Sequence, residues 1–197
     1  MRTRSSAGMM KKLLATALLG GAWALCACGS EGSSQPMPQP ASCPVETQAW
    51  PSEGQQHAAE GTPLTFGSNP PSSGTHYPVW GRWGQHAEVL ERGYYVHNLE
   101  HGGIVLLYRC DGPCADVVAG LKAVMEARAT DPACDPAVRT RILITQDPLL
   151  DVPVAATAWG NTYRAQCVDA PSLTAFINAH YDQAPESLCA QGYVPLN

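Results

Sequence analysis

The sequence predicts an α+β fold: one compact domain with a small central sheet, two or more packed helices and a long, ordered, loop-rich N-terminal segment. Residues 104–108 form a short continuous apolar run, which is typical of a buried strand. Residues 115–130 instead repeat apolar side chains at helical spacing. The order strand, helix, strand, strand, helix along the chain favours mixed layers over a bundle.

The chain begins with a segment that is typical of an export signal. Residues 13–25 are apolar but too short to span a bilayer comfortably, and they follow a basic stretch with Arg2, Arg4, Lys11 and Lys12. The next residues, Leu25-Cys26-Ala27-Cys28, resemble a bacterial lipobox. We therefore expect residues 1–27 to be a lipoprotein signal peptide and Cys28 to carry lipid, including palmitate. An ordinary secretory signal that is cleaved nearby is the alternative.

The segment after the signal predicts how the protein meets its surroundings. Residues 28–42 comprise the lipidated cysteine and a Ser-, Pro- and Gly-rich flexible linker, and residues 43–197 form the globular domain. Without residues 1–27, eight Lys and Arg remain against 17 Asp and Glu, a formal net charge of −9. This acidic chain has no basic run for nucleic acid. We expect a cell-envelope protein that is lipid-anchored to the membrane, with its domain in the periplasm or on the cell surface; protein partners are not indicated.

Each element of the domain has its own local signal. Residues 50–85 carry Gly, Pro and aromatic residues without a helical or strand period, which predicts a loop that wraps over the core. The remaining expectations are a helical turn at 86–92, β structure at 94–97, strands at 104–108, 141–145 and 152–159, helices at 115–130 and 171–181, and an irregular tail from residue 184 that is linked through Cys189. In the last helix one face carries Leu173, Phe176 and Ile177.

Six cysteines remain after the signal and the lipidated residue: Cys43, Cys110, Cys114, Cys134, Cys167 and Cys189. An even number in an exported domain predicts up to three disulfides, with about 15 pairings allowed. Cys110 and Cys114 lie between a predicted strand and a predicted helix, a position and spacing similar to those of thioredoxin-like copper-delivery proteins. The alternative is a structural bridge from this pair to Cys134 or elsewhere.

The residues best suited to chemistry lie in His97-Asn98-Leu99-Glu100-His101, which spells the H-x-x-E-H pattern of inverted zincin peptidases. There, two histidines bind zinc from one face of a helix and the glutamate activates water. Positions i and i+4 lie about 6 Å apart in a helix but about 13 Å apart in a strand. The β-favouring residues before the segment, and Gly102 and Gly103 after it, favour a glycine-broken turn between two strands.

Histidines in the loop-rich segment extend this candidate site. We expect His57, His76, His97 and His101 to converge on one transition-metal ion, zinc or copper, with Glu100 as a ligand, as a residue that orients a ligand, or as a catalytic base. Alternatively, the histidines hydrogen-bond loop carbonyls and pin the loop to the strands, or act in acid–base catalysis without metal. A metal-binding module, a metal-dependent hydrolase with Glu100 as its base, and a structural or interaction lipoprotein therefore all stay open.

Four segments resemble the bacterial domain-of-unknown-function family 3105 in its lipoprotein form. The matching residues are Pro71 to His76, His97 to Gly102, Thr157 to Gly160, and Phe176-Ile177 with Ala184 to Glu186. Together they cover roughly residues 57–187. The resemblance implies an exported domain and places His76, His97, Glu100 and His101 in the family's pattern. It implies no established activity, and the six cysteines lie outside that pattern, which weakens the copper–thiol interpretation.

Overall fold

A six-stranded mixed sheet forms the centre of the computed structural model, which describes residues 42–196. In chain order its strands are β1 (Val45–Ala49), β2 (Gly84–Gln85), β3 (Ile104–Tyr108), β4 (Ile142–Gln146), β5 (Val154–Ala158) and β6 (Asn161–Ala165). Across the sheet the order is β1-β6-β5-β3-β4-β2, with β3, β4 and β2 parallel and the other neighbours antiparallel. The predicted α+β fold is confirmed. The expectations for residues 1–27, for Cys28 and for the linker as far as residue 41 lie outside the described residues.

Three helices cover the two faces of this sheet: α1 (Arg92–Glu100), α2 (Ala115–Ala127) and α3 (Ala170–His180). On one face, Ile104, Leu106 and Tyr108 of β3 pack with apolar residues of α2 and α3. On the other, Val105 and Leu107 pack with α1 and the loop-rich segment. Both faces of β3 are therefore buried, which explains its continuous apolar sequence.

Helix α3 forms where its sequence predicts it. Asp169 precedes the helix, and its carboxylate accepts a hydrogen bond from the backbone N–H of Ser172 at 3.0 Å, so one free N–H of the first turn is satisfied. The predicted apolar face of Leu173, Phe176 and Ile177 is buried. Helix α2 also lies where expected but ends at Ala127, because the backbone of Arg128 is extended.

The predictions for residues 86–97 are wrong. Helix α1 starts only at Arg92, and Tyr94 to His97, predicted as β structure, lie inside it. Seven of the nine residues of α1 are buried, so the helix has no polar face and its sequence shows no amphipathic period. Tertiary packing on the sheet thus outweighs the β preference of Tyr94, Tyr95 and Val96.

Strands β1, β2 and β6 carry no clear strand signal in the sequence. All five residues of β1 are exposed at the sheet edge, so no apolar alternation marks it. Strand β2 has only two residues. Strand β6 returns from β5 through the two-residue turn Trp159-Gly160, in which Gly160 has a φ of +69°.

The six cysteines form three disulfides, Cys43–Cys167, Cys110–Cys114 and Cys134–Cys189. The third confirms the predicted link of the tail through Cys189. Cys110 and Cys114 are bonded to each other, so these cysteines do form a bridge, but the alternative of a bridge from this pair to Cys134 is wrong and neither sulfur is a free thiol. No helix within residues 42–196 combines the length and the hydropathy that crossing a bilayer would need.

Candidate metal centre

The C-terminal end of α1 supplies two of the candidate ligands, His97 and Glu100. The helix ends in two backbone hydrogen bonds: the N–H of Gly102 donates to Leu99 at 3.0 Å and the N–H of Gly103 donates to Asn98 at 3.0 Å. Gly102 has a φ of +79°, so this is a Schellman-type end. The predicted turn between two strands is therefore wrong on its N-terminal side, because the glycines join a helix to β3.

The loop-rich segment brings His57 and His76 to that helix end. The two residues face each other in an isolated parallel β-bridge. The N–H of Ala58 donates to the carbonyl of His76 at 2.8 Å, and the N–H of His76 donates to the carbonyl of Gln56 at 3.0 Å. The His76 side chain is fully buried, whereas 48% of the His57 side chain is exposed. One ligand candidate thus lies inside the fold and its neighbour lies at the surface.

The three imidazoles meet at the carboxylate of Glu100. Its Oε2 lies 3.0 Å from Nε2 of His76, 3.7 Å from Nε2 of His57 and 3.9 Å from Nε2 of His97. All four candidate ligand atoms lie within 4.8 Å of one another. Four ligands at about 2.0–2.1 Å from one tetrahedral zinc ion are about 3.3 Å apart. The spacing therefore fits a single ion.

Hydrogen bonds on the far side of two rings fix their orientation. The Nδ1 of His76 lies 2.8 Å from the carbonyl oxygen of Gly74, and the Nδ1 of His97 lies 2.6 Å from that of Tyr77. A carbonyl only accepts, so each Nδ1 carries the proton and donates it. The Nε2 of each ring is thereby directed towards Glu100, as in carbonyl-oriented histidine ligands of metal sites.

The electrostatics of the site favour ligands in their binding form. Burial is the main cause that lowers the pKa of His97 to about 3, and the neighbouring imidazoles act in the same direction. The ring is therefore neutral at pH 7, the form that binds a metal ion. Nε2 of His76 and Oε2 of Glu100 lie 3.0 Å apart. A proton between Nε2 of His76 and Oε2 of Glu100 joins only these two atoms. A metal ion at this position would be shared by the carboxylate and by all three imidazole rings.

His101 does not join this group, although its ring centroid lies 4.6 Å from that of His97. Its Nε2 lies 3.2 Å from Oε2 of Glu186, in the C-terminal tail. Burial lowers the pKa of His101 to about 4, although the Glu100 carboxylate acts to raise it. Glu100 thus occupies the position that the sequence assigned to His101. Because its carboxylate lies among three imidazole nitrogens, the geometry favours Glu100 as a ligand over Glu100 as a base.

Sequence reasoning missed three residues around the site. The side-chain amide of Asn98 donates to the carbonyl of Gly81 at 2.9 Å and accepts from its N–H at 3.0 Å, which fixes the loop to α1. The centroid of the Trp80 ring lies 5.1 Å from the centroid of the His97 ring and 4.5 Å from that of the His101 ring. Asn98 could have been found inside the motif and Glu186 in the last segment that resembles the family, but no local pattern marks Trp80.

Comparison with known proteins agrees with the motifs. Residues 57–191 match the model of the family DUF3105, which is described as a protein of unknown function. The matched region contains all four candidate ligands, and the family expected from the sequence motifs is confirmed. Neither a curated protein nor a solved structure matches the chain.

Proposed function

The chain belongs to the DUF3105 family, and we propose that it is a metal-binding module that holds one zinc or copper ion through His57, His76, His97 and Glu100. The observation that carries the proposal is the convergence of these four ligand atoms within 4.8 Å of one another. Three imidazoles with one carboxylate are a donor set that suits zinc and copper.

The burial of Glu100 supports a cation at this position. Only 4% of its side chain is exposed, and the basic side chains within about 4 Å of its carboxylate in the described part of the chain are the three histidines. A buried carboxylate is costly unless it is paired or coordinates a metal. A metal ion bound by all four side chains offsets this cost and uses the three Nε2 atoms that face the carboxylate.

We assign Glu100 to the ion as a ligand, and we do not propose the hydrolase. A zincin-type base must be free to hold a water molecule beside the metal. Glu100 Oε2 instead contacts Nε2 of His76 at 3.0 Å. The half-exposed ring of His57 leaves solvent access on one side of the site. This arrangement suits binding and exchange of the ion.

We also propose that the module lies in the cell envelope, anchored through lipid on Cys28. The signal-like segment and the lipobox-like residues before Cys28 support this location. Three disulfides in one domain support an oxidising compartment. Membrane contact then comes from the lipid, since the acidic chain offers no basic run for lipid headgroups.

Metal content of the purified mature chain tests the binding proposal. The chain is made metal-free with a chelator, supplied with Zn²⁺ or Cu²⁺, desalted and measured by elemental analysis. We expect at least one tightly bound equivalent of one ion, and loss of that equivalent in His97→Ala. His180→Ala is the matched control, because His180 packs on Phe176 in α3, away from the cluster. Metal far below one equivalent with both ions, or unchanged loading in His97→Ala, would contradict the proposal.

A further inference from the structure

We propose a second metal site beside the first, in which Glu100, His101 and Glu186 hold a second divalent ion and the Glu100 carboxylate bridges the two ions. Candidate ligand atoms of these three residues lie within 4.8 Å of one another. The inference rests on the proposed function of the first site, and it makes the centre dinuclear.

The end of α1 has the spacing that such a bridge needs. His97 and His101 lie one helical turn apart, with ring centroids 4.6 Å apart, and Glu100 lies between them in the chain. Nε2 of His97 lies 3.9 Å from Oε2 of Glu100, whereas Nε2 of His101 lies 3.2 Å from Oε2 of Glu186. The two imidazoles therefore serve neighbouring positions. Ions that share a carboxylate in two-metal sites are about 3.5–4 Å apart.

The hydrogen bond of the Glu100 carboxylate leaves one oxygen for the second ion. Within residues 42–196, Oε2 is the oxygen that contacts the histidines of the first site, and Oε1 accepts no hydrogen bond. A carboxylate that uses one oxygen for each of two ions is a bridging ligand. This use accounts for a glutamate at the centre of the motif, where a fourth histidine could bind only one ion.

Backbone contacts of the C-terminal tail position Glu186. The N–H of Asp182 donates to the carbonyl of Gly102 at 2.9 Å, and the N–H of Glu186 donates to the carbonyl of Glu100 at 3.0 Å. The Cys134–Cys189 disulfide ties down the tail three residues further along. Glu186 is thus held against the end of α1, while 53% of its side chain stays exposed to solvent and to incoming ions.

The local chemistry favours a cation at this position. Glu100 and Glu186 bring two carboxylates within 4.8 Å of each other, and a divalent ion between them offsets their repulsion. His101 is buried, and its Nδ1 has no hydrogen-bond partner among the described residues. No carbonyl therefore fixes its tautomer, so Nε2 is able to bind an ion while Nδ1 carries the proton. With three protein ligands the second site keeps open positions for water, so it binds more weakly than the first.

Zinc titration of the metal-free mature chain tests the second site. We expect two equivalents in the wild type and one in Glu186→Gln, which keeps a hydrogen-bond acceptor for His101 but removes the carboxylate. Glu186→Ala should also bind one equivalent. The matched control is Glu88→Ala, an exposed glutamate whose side chain is outside both sites, and it should bind two. With Cu²⁺ as the probe, the electron paramagnetic resonance signal per ion should fall as the second equivalent binds to the wild type, because ions that share a carboxylate couple magnetically.

The outcomes separate this inference from the proposed function. One equivalent in the wild type and in both Glu186 variants overturns the second site and leaves the first intact. If Glu186→Gln merely weakens a single ion by about 10–100-fold, Glu186 only orients its neighbour and the second site is also overturned. No bound zinc or copper in any variant overturns the proposed function itself. Circular dichroism of each variant shows whether its fold is preserved.

Discussion

Individual histidines here have one ring edge in a structural contact and the other edge at the proposed metal site. The Nδ1 of His76 and of His97 donates to a loop carbonyl, which is the structural role. The Nε2 of the same rings faces Glu100, which is the arrangement that the proposed ligand role needs. The structural hypothesis therefore concerns the Nδ1 edge of each ring, and the metal hypothesis concerns the Nε2 edge. The hydrogen bond from Nδ1 to a loop carbonyl fixes the orientation of the ring, and with it the direction of Nε2. The structural contact is therefore compatible with the proposed metal binding.

At this scale we predict that His57→Ala separates metal binding from stability. The ring of His57 is half exposed. The hydrogen bonds that position its segment are made by the backbone of Gln56 and Ala58 with the backbone of His76, so they do not need the His57 side chain. Its loss should weaken zinc binding at least tenfold, while the unfolding free energy of the metal-free chain stays within about 0.5 kcal/mol of the wild type. His97→Ala removes a buried ring and its bond to Tyr77, so it should also destabilise the metal-free chain by about 1–3 kcal/mol.

Zinc affinity by competition with a chelator and urea denaturation of the metal-free variants check this pair. His180→Ala again serves as the control for loss of an imidazole outside the site. Wild-type zinc affinity in His57→Ala would contradict the assignment of His57 as a ligand. A metal-free stability equal to that of the wild type in His97→Ala would contradict its structural role.

At the scale of elements, the junction between α1 and β3 determines where the site forms. The helix ends at Glu100, and the two glycines after His101 turn the chain directly into a strand that is buried on both faces. A Cβ on Gly103 would lie 2.5 Å from the ring of Trp83 and 2.7 Å from the backbone oxygen of Asn98. The junction is therefore packed too closely for any side chain at that position.

We predict that Gly103→Ala destabilises the protein by roughly 1–3 kcal/mol, because either the Trp83 ring or the helix end must move. Gly112→Ala is the control: its new methyl group would meet nothing within 4 Å, so its unfolding free energy should stay within about 0.5 kcal/mol of the wild type. Urea denaturation measures both. Equal midpoints for the two variants would show that the junction tolerates a side chain.

Elements with a local signature could be predicted from the sequence, and elements defined by their surroundings could not. Strand β3 and helix α3 show an apolar run and an amphipathic face, and both were predicted. Helix α1 is buried on nearly every side, so its sequence lacks the periodicity that marks a surface helix. The exposed edge strand β1 lacks apolar alternation for the opposite reason.

The same division holds for the candidate site. His57, His76 and His97 could be proposed from the sequence because histidines concentrate in one motif and in the loop before it. The structure places Glu100, and not His101, in the group of four candidate ligands. This difference depends on where the helix ends, which the sequence did not reveal. Glu186 lies in a segment that resembles the family, but its position beside Glu100 depends on backbone contacts of the tail that the sequence does not show.

At the scale of the whole molecule, the two faces of the sheet differ in what covers them. Helices α2 and α3 cover one side with an apolar cluster, whereas α1 and the loop-rich segment cover the other and carry the candidate ligands. The disulfides Cys43–Cys167 and Cys134–Cys189 tie the start and the end of the described chain to this body. The candidate site is thus built on a body that disulfides tie down at both ends, and the lipid anchor that we propose lies in the segment before Cys43.

The last prediction concerns the proposed lipid anchor at Cys28. In a bacterial host supplied with radiolabelled palmitate, the full-length chain should incorporate label, because Leu25-Cys26-Ala27-Cys28 fits the pattern in which the final cysteine is lipidated. Cys28→Ala should lose the label. Cys26→Ala is the matched control, since it removes a neighbouring cysteine within the predicted signal peptide and leaves the acceptor in place. Label that persists in Cys28→Ala would refute this acceptor, and an unlabelled wild type would favour an ordinary secretory signal. Because a single acyl chain gives only marginal membrane binding, stable anchoring requires more than one chain on the modified cysteine.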